Sequence, residues 1–153
     1  MRATGSMTEA TDGPEDQAPL YLSQSCPAVA ASVGWARKAV AQFALVAGVH
    51  GQRLEEVRLA VSEAVTNAVV YAYDGSPGKI HVIAAVVSDE LWIVIADDGN
   101  GMRARPSETR GLGLGLGLIA RLSDSLTILT RSSGGVEVRM RFDLGSRTDG
   151  AAA

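Results

Sequence analysis

Residues 62–73 read SEAVTNAVVYAY, an apolar run interrupted by Glu63 and Asn67 four positions apart. Around that run, from about Gln52 to Ala72, Leu54, Val57, Val61, Val65, Ala68 and Ala72 recur on one side of a helix and form a core stripe. Glu63 and Asn67 fall one turn apart on the other side, so their side chains project together. Leu59, Ala60 and Val70 surround them, and a purely solvated face does not select such neighbours. The pair is therefore read as lining a partly covered pocket. Taken alone it also fits an ordinary exposed helix face, on which Glu is common and Asn tolerated.

Upstream, LYLSQS (20–25) reads as a short strand and residues from about Pro27 to Val46 as a helix, with Val29, Val33, Ala36, Val40 and Phe43 spaced by three and four. AGVHGQ (47–52) breaks that helix, and DGSPG (74–78) ends the next. KIHVIAAVVS (79–88) and ELWIVIADD (90–98) are rich in β-branched residues and read as strands joined at Ser88 and Asp89. A polar loop (99–110) follows, then GLGLGLGLIARLSD (111–124), read as a glycine-rich loop turning into a short helix. SLTILTRS (125–132) and GVEVRMRFDL (135–144) read as a hairpin across Ser133 and Gly134, with Val136, Val138, Met140 and Phe142 on one face. Strands and helices are grouped rather than alternated. That order predicts an α+β fold, a two-layer α/β sandwich with a mostly antiparallel sheet.

The chain of 153 residues suits one domain, with 46% hydrophobic and 20% charged residues as in ordinary globular proteins. Residues 1–19 carry Glu9, Asp12, Glu15 and Asp16, two prolines and no apolar block, and are expected to be a disordered tail with no secretory signal. The expected domain covers 20–144, and 145–153 form a flexible C-terminal tail. A net charge of -3 argues against nucleic-acid binding by phosphate neutralisation. Cys26 has no second cysteine to pair with, and no apolar run approaches the roughly 18–20 residues of a membrane span, so a cytoplasmic protein with no membrane partner is expected.

Two glycine motifs lie downstream of the polar pair. IADDGNGM (95–102) runs a strand into Asp-Asp-Gly-x-Gly. A carboxylate at a strand end accepts hydrogen bonds only, which suits an exocyclic amine such as the 6-amino group of adenine, and Asp97 is the better placed of the two. Gly99 and Gly101 allow close backbone approach to a ligand. The same dipeptides also make plain β-turns. RGLGLGLGLIARL (110–122) has glycines at 111, 113, 115 and 117, each costing about 0.5–1 kcal/mol against alanine on ordering. Free N–H groups running into a helix N-terminus would bind phosphate; a flexible linker is the plainer alternative. The spacing fits neither the dinucleotide fingerprint nor a P-loop.

In this order, SEAVTNA, ADDGNGM and GLGLGLGLIARL resemble the N, G1 and G2 boxes of the GHKL (histidine kinase-like, Bergerat-fold) ATPase superfamily. Within it the chain is most similar to the bacterial anti-sigma factors and serine-protein kinases. The segments SQS…WAR (23–37), EAVTNAVVYAY (63–73) and GGVEVRMRF (134–142) share that likeness. The resemblance implies an ATP- and Mg²⁺-dependent domain in which Asn67 binds the Mg²⁺ that holds the phosphates and Glu63 is the general base. It implies that Asp97 binds adenine with Gly99 and Gly101 shaping the base pocket, that Gly113, Gly115 and Gly117 cradle the phosphates, and that Met102–Arg110 form a lid whose Arg103, Arg105 and Arg110 contact phosphate. It places Arg37 on a partner-binding surface. It further implies a homodimer that sequesters a sigma factor and phosphorylates a serine or threonine of an anti-anti-sigma (STAS-type) protein. The alternative is a nucleotide-gated binding module of the same fold without kinase activity. Two features depart from the family pattern: the glycine box carries extra Gly-Leu steps, which leaves its register open, and the lid is short. His50 and His81, one in a turn and one in a strand, are read as incidental.

Overall fold

The computed structural model describes residues 20–100 and 109–145, the side chains of 109–114 excepted. Elements follow in the order β1 (Tyr21–Pro27), α1 (Ala31–Val46), α2 (Gly51–Tyr71), β2 (Lys79–Val87), β3 (Glu90–Asp97), α3 (Thr109–Leu122), β4 (Ser125–Thr130) and β5 (Val136–Asp143). The five strands form one antiparallel sheet in the order β1-β2-β3-β5-β4. The expected two-layer α+β sandwich is observed. The tails 1–19 and 146–153 and most of the lid segment, with Gly101, Arg103 and Arg105, lie outside the described residues.

Alternation in the strands makes the two layers. Ile80, Val82 and Ala84 of β2, Leu91, Ile93 and Ile95 of β3, and Val138, Met140 and Phe142 of β5 all face the helices and are buried. The β2–β3 connection is a two-residue turn in which Ser88 and Asp89 both have positive φ, at 47° and 61°. Both central residues of a type I′ hairpin turn need that conformation, and its twist matches the strands.

Helix α2 occupies the centre of the helical layer, between α1 and α3 and above β3. Its expected stripe is buried, but Ala60 and Ala64 are buried as well, at 0% and 1% exposure. Of the residues read beside the polar pair, Ala60 therefore belongs to the core while Leu59 and Val70 are exposed, and α2 has two covered faces. On α1 the buried residues are Ser32, Ala36, Val40, Ala41 and Ala44, with Val33 and Phe43 partly covered. Val29 is exposed and precedes the helix, which begins at Ala31 because β1 continues as far as Pro27, paired with Lys79.

The glycine-rich stretch differs most from expectation. Residues 109–122 form a continuous helix, α3, instead of a loop that becomes a short helix. Leu116, Ile119 and Leu122, spaced by three, lie on the core side, and Ile119 is fully buried. Packing of this stripe offsets the poor helix propensity of the glycines, since tertiary burial outweighs propensity in most protein helices. The first strand of the C-terminal hairpin is also shorter than expected: β4 stops at Thr130, where the Arg131 N–H turns to the Gly135 carbonyl.

At the far end of β5, Phe142 is fully buried beneath the Arg53 guanidinium, which lies 5.2 Å above its ring. Arg53 also pairs with Glu56 and Asp124, joining α2 to the α3–β4 connection. Phe142→Ala should destabilise the domain by about 3–5 kcal/mol through loss of burial and an unfilled cavity. The check is a urea unfolding curve, where the midpoint should fall at constant slope.

Candidate functional site

Strand parity decides where Asp97 points. It takes the next place in the row Leu91, Ile93, Ile95, so its carboxyl enters the space between sheet and helices and is 5% exposed. A carboxylate there needs hydrogen bonds, and the backbone supplies them: Oδ1 accepts from the N–H of Gly99 at 3.0 Å and of Val136 at 3.2 Å. Among the described residues no donor reaches its other oxygen. Burial pushes the Asp97 carboxyl above its ordinary pKa, against the lowering effect of the two N–H groups.

Two glycines allow these approaches. A Cβ on Gly99 would overlap the carbonyl of Ala72 at the end of α2, where the Asn100 N–H donates at 2.9 Å. A Cβ on Gly135 would overlap the carbonyl of Asp97. The strand end is thus wedged between the C-terminus of α2 and the β4–β5 turn.

An apolar cavity opens beside Asp97, lined by Asn67 and Tyr71 of α2, Ile95 of β3, Leu116 of α3, Ile128 of β4 and Val138 of β5. At its α2 wall stand the half-buried Glu63 and Asn67, covered by α3 at Gly115. A Cβ on Gly115 would come 3.1 Å from Asn67 Nδ2 and 3.4 Å from Glu63 Oε2. The amide Nδ2 of Asn67 is buried and has no hydrogen-bond partner among the described residues. Leaving a buried amide unpaired costs about 1–3 kcal/mol, which makes this group a candidate ligand contact. Rotation of the amide exchanges its nitrogen and oxygen, and either a phosphate oxygen or a hard cation can then be met at the same place.

The model of the histidine kinase-like ATPase domain matches residues 26–142. The chain belongs to the histidine kinase-like ATPase family. Within it, the chain is 32% identical over 145 residues to the serine-protein kinase RsbW of Bacillus velezensis, covering 84% of this chain and 89% of the relative. It is 28% identical over 118 residues to the anti-sigma F factor of Clostridium acetobutylicum, covering 70% and 82%. The crystal structure of the RsbU and RsbW domains of a Mycobacterium tuberculosis protein shares the fold, with a TM-score of 0.65 at 22% identity over 81% of this chain. This chain spans 32% of that longer one. The RsbW-like character expected from the three boxes is thus matched by relatives and by fold.

In this family member Asn67 and Asp97 line the same cavity, and Glu63 and Gly115 lie beside Asn67. Gly99 abuts that space from behind, packed on α2. Gly113 and Arg110 lie in the first turns of α3, where only the backbone is described. Gly117 is exposed, and a Cβ added there would meet nothing within 4 Å among the described residues. Arg37 stands apart on α1, its Nη1 3.3 Å from the Ser62 hydroxyl. Gly135, Tyr71 and Leu116 were not singled out in the sequence. Tyr71 follows Asn67 by one helical turn, a spacing that could have found it; Gly135 had only its place in a turn-like Ser-Ser-Gly-Gly run.

The two α3 glycines are expected to behave differently. Gly117→Ala should stabilise the domain by up to about 1 kcal/mol through helix propensity, while Gly115→Ala should gain less or lose, because its methyl crowds Asn67. Thermal midpoints of the two variants check this. For Asp97 the sign follows from its raised pKa. Its contribution to folding is greatest below the unfolded-state pKa and declines as pH rises through the folded-state value, so the ionised form opposes folding at neutral pH. Asp97→Asn keeps an oxygen for both N–H groups and removes that charge. Its unfolding midpoint at pH 7 should equal or exceed that of the wild type, with the difference vanishing in acid.

Proposed function

We propose that this domain is an ATP-dependent anti-sigma factor and serine/threonine protein kinase, which sequesters a sigma factor and phosphorylates an anti-anti-sigma (STAS-type) protein. The observation that carries the reading is the half-buried Glu63 beside an Asn67 amide that has no partner among the described residues and lines an apolar cavity together with the buried Asp97. The names of the relatives, RsbW kinases and anti-sigma F factors, support the same reading.

In this proposal the apolar walls Ile95, Leu116 and Val138 hold a purine once α3 has drawn back, and Asp97 accepts from its 6-amino group. Asn67 offers its amide oxygen to a Mg²⁺ shared with the phosphates; Mg²⁺ is commonly held by one or two protein oxygens with phosphate and water completing the shell. The bound ion would neutralise charge on the transferring phosphoryl group. Glu63 accepts the proton of the attacking serine or threonine hydroxyl while the new O–P bond forms and the β–γ bridging bond breaks, leaving ADP. Gly111, Gly113, Gly115 and Gly117 weaken α3 by roughly 1 kcal/mol each relative to alanine, which lets its first turns draw away from the pair when phosphates approach.

Arg37 fits a docking role because its Ser62 contact sits next to Glu63 on α2, and exposed Leu59 lies one turn before Ser62 on the same face. A partner seated on Arg37 and Leu59 would bring a hydroxyl toward Glu63 along the outside of α2. Closure of α3 over Glu63 and Asn67 is the one observation that favours the second reading, a nucleotide-gated binding module. A homodimer is proposed from family resemblance.

Incubation with labelled ATP and a cognate anti-anti-sigma domain separates the readings. Glu63→Ala should abolish transfer, by 10²-fold or more given the usual contribution of a general base, while Mg-ATP still binds by calorimetry. Asn67→Ala should weaken Mg²⁺-dependent ATP binding in a folded protein. ATP binding by the wild type with no transfer to the partner would leave the gate.

A further inference from the structure

The sheet face turned away from the helices carries a polar network behind Asp97. Asp98 is one residue on from Asp97 and so points to the opposite face. Its Oδ2 lies 2.9 Å from His81 Nε2, and its Oδ1 accepts from Arg131 Nη1 at 2.8 Å and, at 3.4 Å, from the Ser133 hydroxyl. His81 is held in turn by Ser25, its partner in the β1–β2 register, with Nδ1 2.9 Å from the Ser25 hydroxyl. The Asp98 N–H donates to the Tyr73 hydroxyl at 2.9 Å, and that hydroxyl donates to the Lys79 carbonyl. His81 is therefore part of a connected network and not incidental.

One contact crosses the sheet. Arg131 Nη1, while paired with Asp98, also donates to the backbone carbonyl of Asp97 at 3.1 Å. That carbonyl is the one against which Gly135 packs, and the next residue, Val136, supplies an N–H to Asp97 Oδ1. Arg131 lies in the turn at the end of β4, and its own N–H bonds the Gly135 carbonyl. Side chain and backbone of one residue thus tie the Asp97 carbonyl to the Gly135–Val136 backbone, one of the two donors to the Asp97 carboxyl.

We propose that Arg131, held by Asp98, is a positioning residue that sets the aim of Asp97 and thereby the selectivity of the cavity for a 6-amino purine. The proposal rests on the nucleotide reading given above. Arg131 does not itself line the cavity, and its effect passes through the Asp97 carbonyl and the Gly135–Val136 backbone. Without it, that backbone can withdraw by a few tenths of an ångström, and an acceptor aimed at one exocyclic amine loses direction faster than apolar walls lose contact with a ring. The loss therefore falls on base discrimination and not on general affinity.

The experiment compares ATP with inosine triphosphate, which carries a 6-oxo group, by calorimetry with Mg²⁺. Wild type should prefer ATP, and Arg131→Gln should reduce that preference by about tenfold, the worth of roughly one hydrogen bond, mostly by weakening ATP. Asp98→Asn, an exposed and isosteric change, serves if Arg131→Gln does not fold; it should shift the ratio in the same direction. A role confined to stability would lower the unfolding midpoint and leave the ratio of affinities unchanged, and an unchanged ratio in a folded variant overturns the proposal. Equal binding of the two nucleotides by the wild type would overturn the adenine-reading role of Asp97, and the positioning role with it.

Discussion

A buried carboxylate satisfied by backbone donors from two separate turns constrains this fold more than any other single feature. Asp97 is usable in the interior only if Gly99 and Val136 both present their N–H groups to the same oxygen. Those donors belong to segments far apart in the chain, so the β4–β5 hairpin must be docked on the end of β3 in one register. The register is enforced on the core side by Val138 opposite Ile95 and Met140 opposite Ile93, where a slip of one residue would turn the buried row of β5 to solvent. Hydrophobic pairing along the sheet thus aims a polar group at its end.

The helical layer solves a related difficulty. Helix α2 must bury one face on the sheet and still keep Glu63 and Asn67 beside a small apolar cavity. It does so with alanine: Ala60, Ala64 and Ala68 are all covered, and their small size allows α3 to approach. The approach is completed by Gly115, whose missing side chain leaves room for the polar pair. Small residues on one helix and glycine on the other bring two backbones together around two polar groups, one of them without a partner among the described residues. A bulky apolar stripe in either place would have given a more stable interface with no cavity.

Much of this architecture was legible in the sequence because period and parity are local signals. The β5 alternation Val136, Val138, Met140, Phe142 and the stripe on α2 need only spacing to be read. The continuous helix through the Gly-Leu repeat was not legible, since alternation by two also satisfies a helical stripe once Leu116, Ile119 and Leu122 are selected from it, and glycine propensity argues for a loop. Tertiary burial decided between them, and burial is not a property of the segment alone. Similarly, Ala60 carries no sign of whether a second helix will cover it. For the site, the row Leu91, Ile93, Ile95 places Asp97 inward by parity, but the dependence of its carboxyl on Gly135 and Val136 joins residues distant in the chain. No spacing rule connects them.

The pair Asp97–Asp98 shows how adjacent identical residues acquire opposite environments. Asp97 faces the core, where burial raises its pKa; Asp98 faces outward, where the hydrogen bond from His81 and then the nearby Arg131 charge lower its own. As pH falls through the folded-state value of Asp98, its contribution to stability is lost, whereas protonation of Asp97 favours the folded state. The two effects have opposite sign and fall in different windows, that of Asp97 above the ordinary carboxylate value and that of Asp98 below it, so their joint contribution to stability is greatest between them. Because Arg131 contacts both the Asp98 carboxylate and the Asp97 carbonyl, a charge change on the outer face is felt at the inner one through a single side chain. An antiparallel sheet only one layer thick permits this coupling: at its ends, adjacent residues address opposite faces, and a long cation in a neighbouring turn can reach the peptide between them.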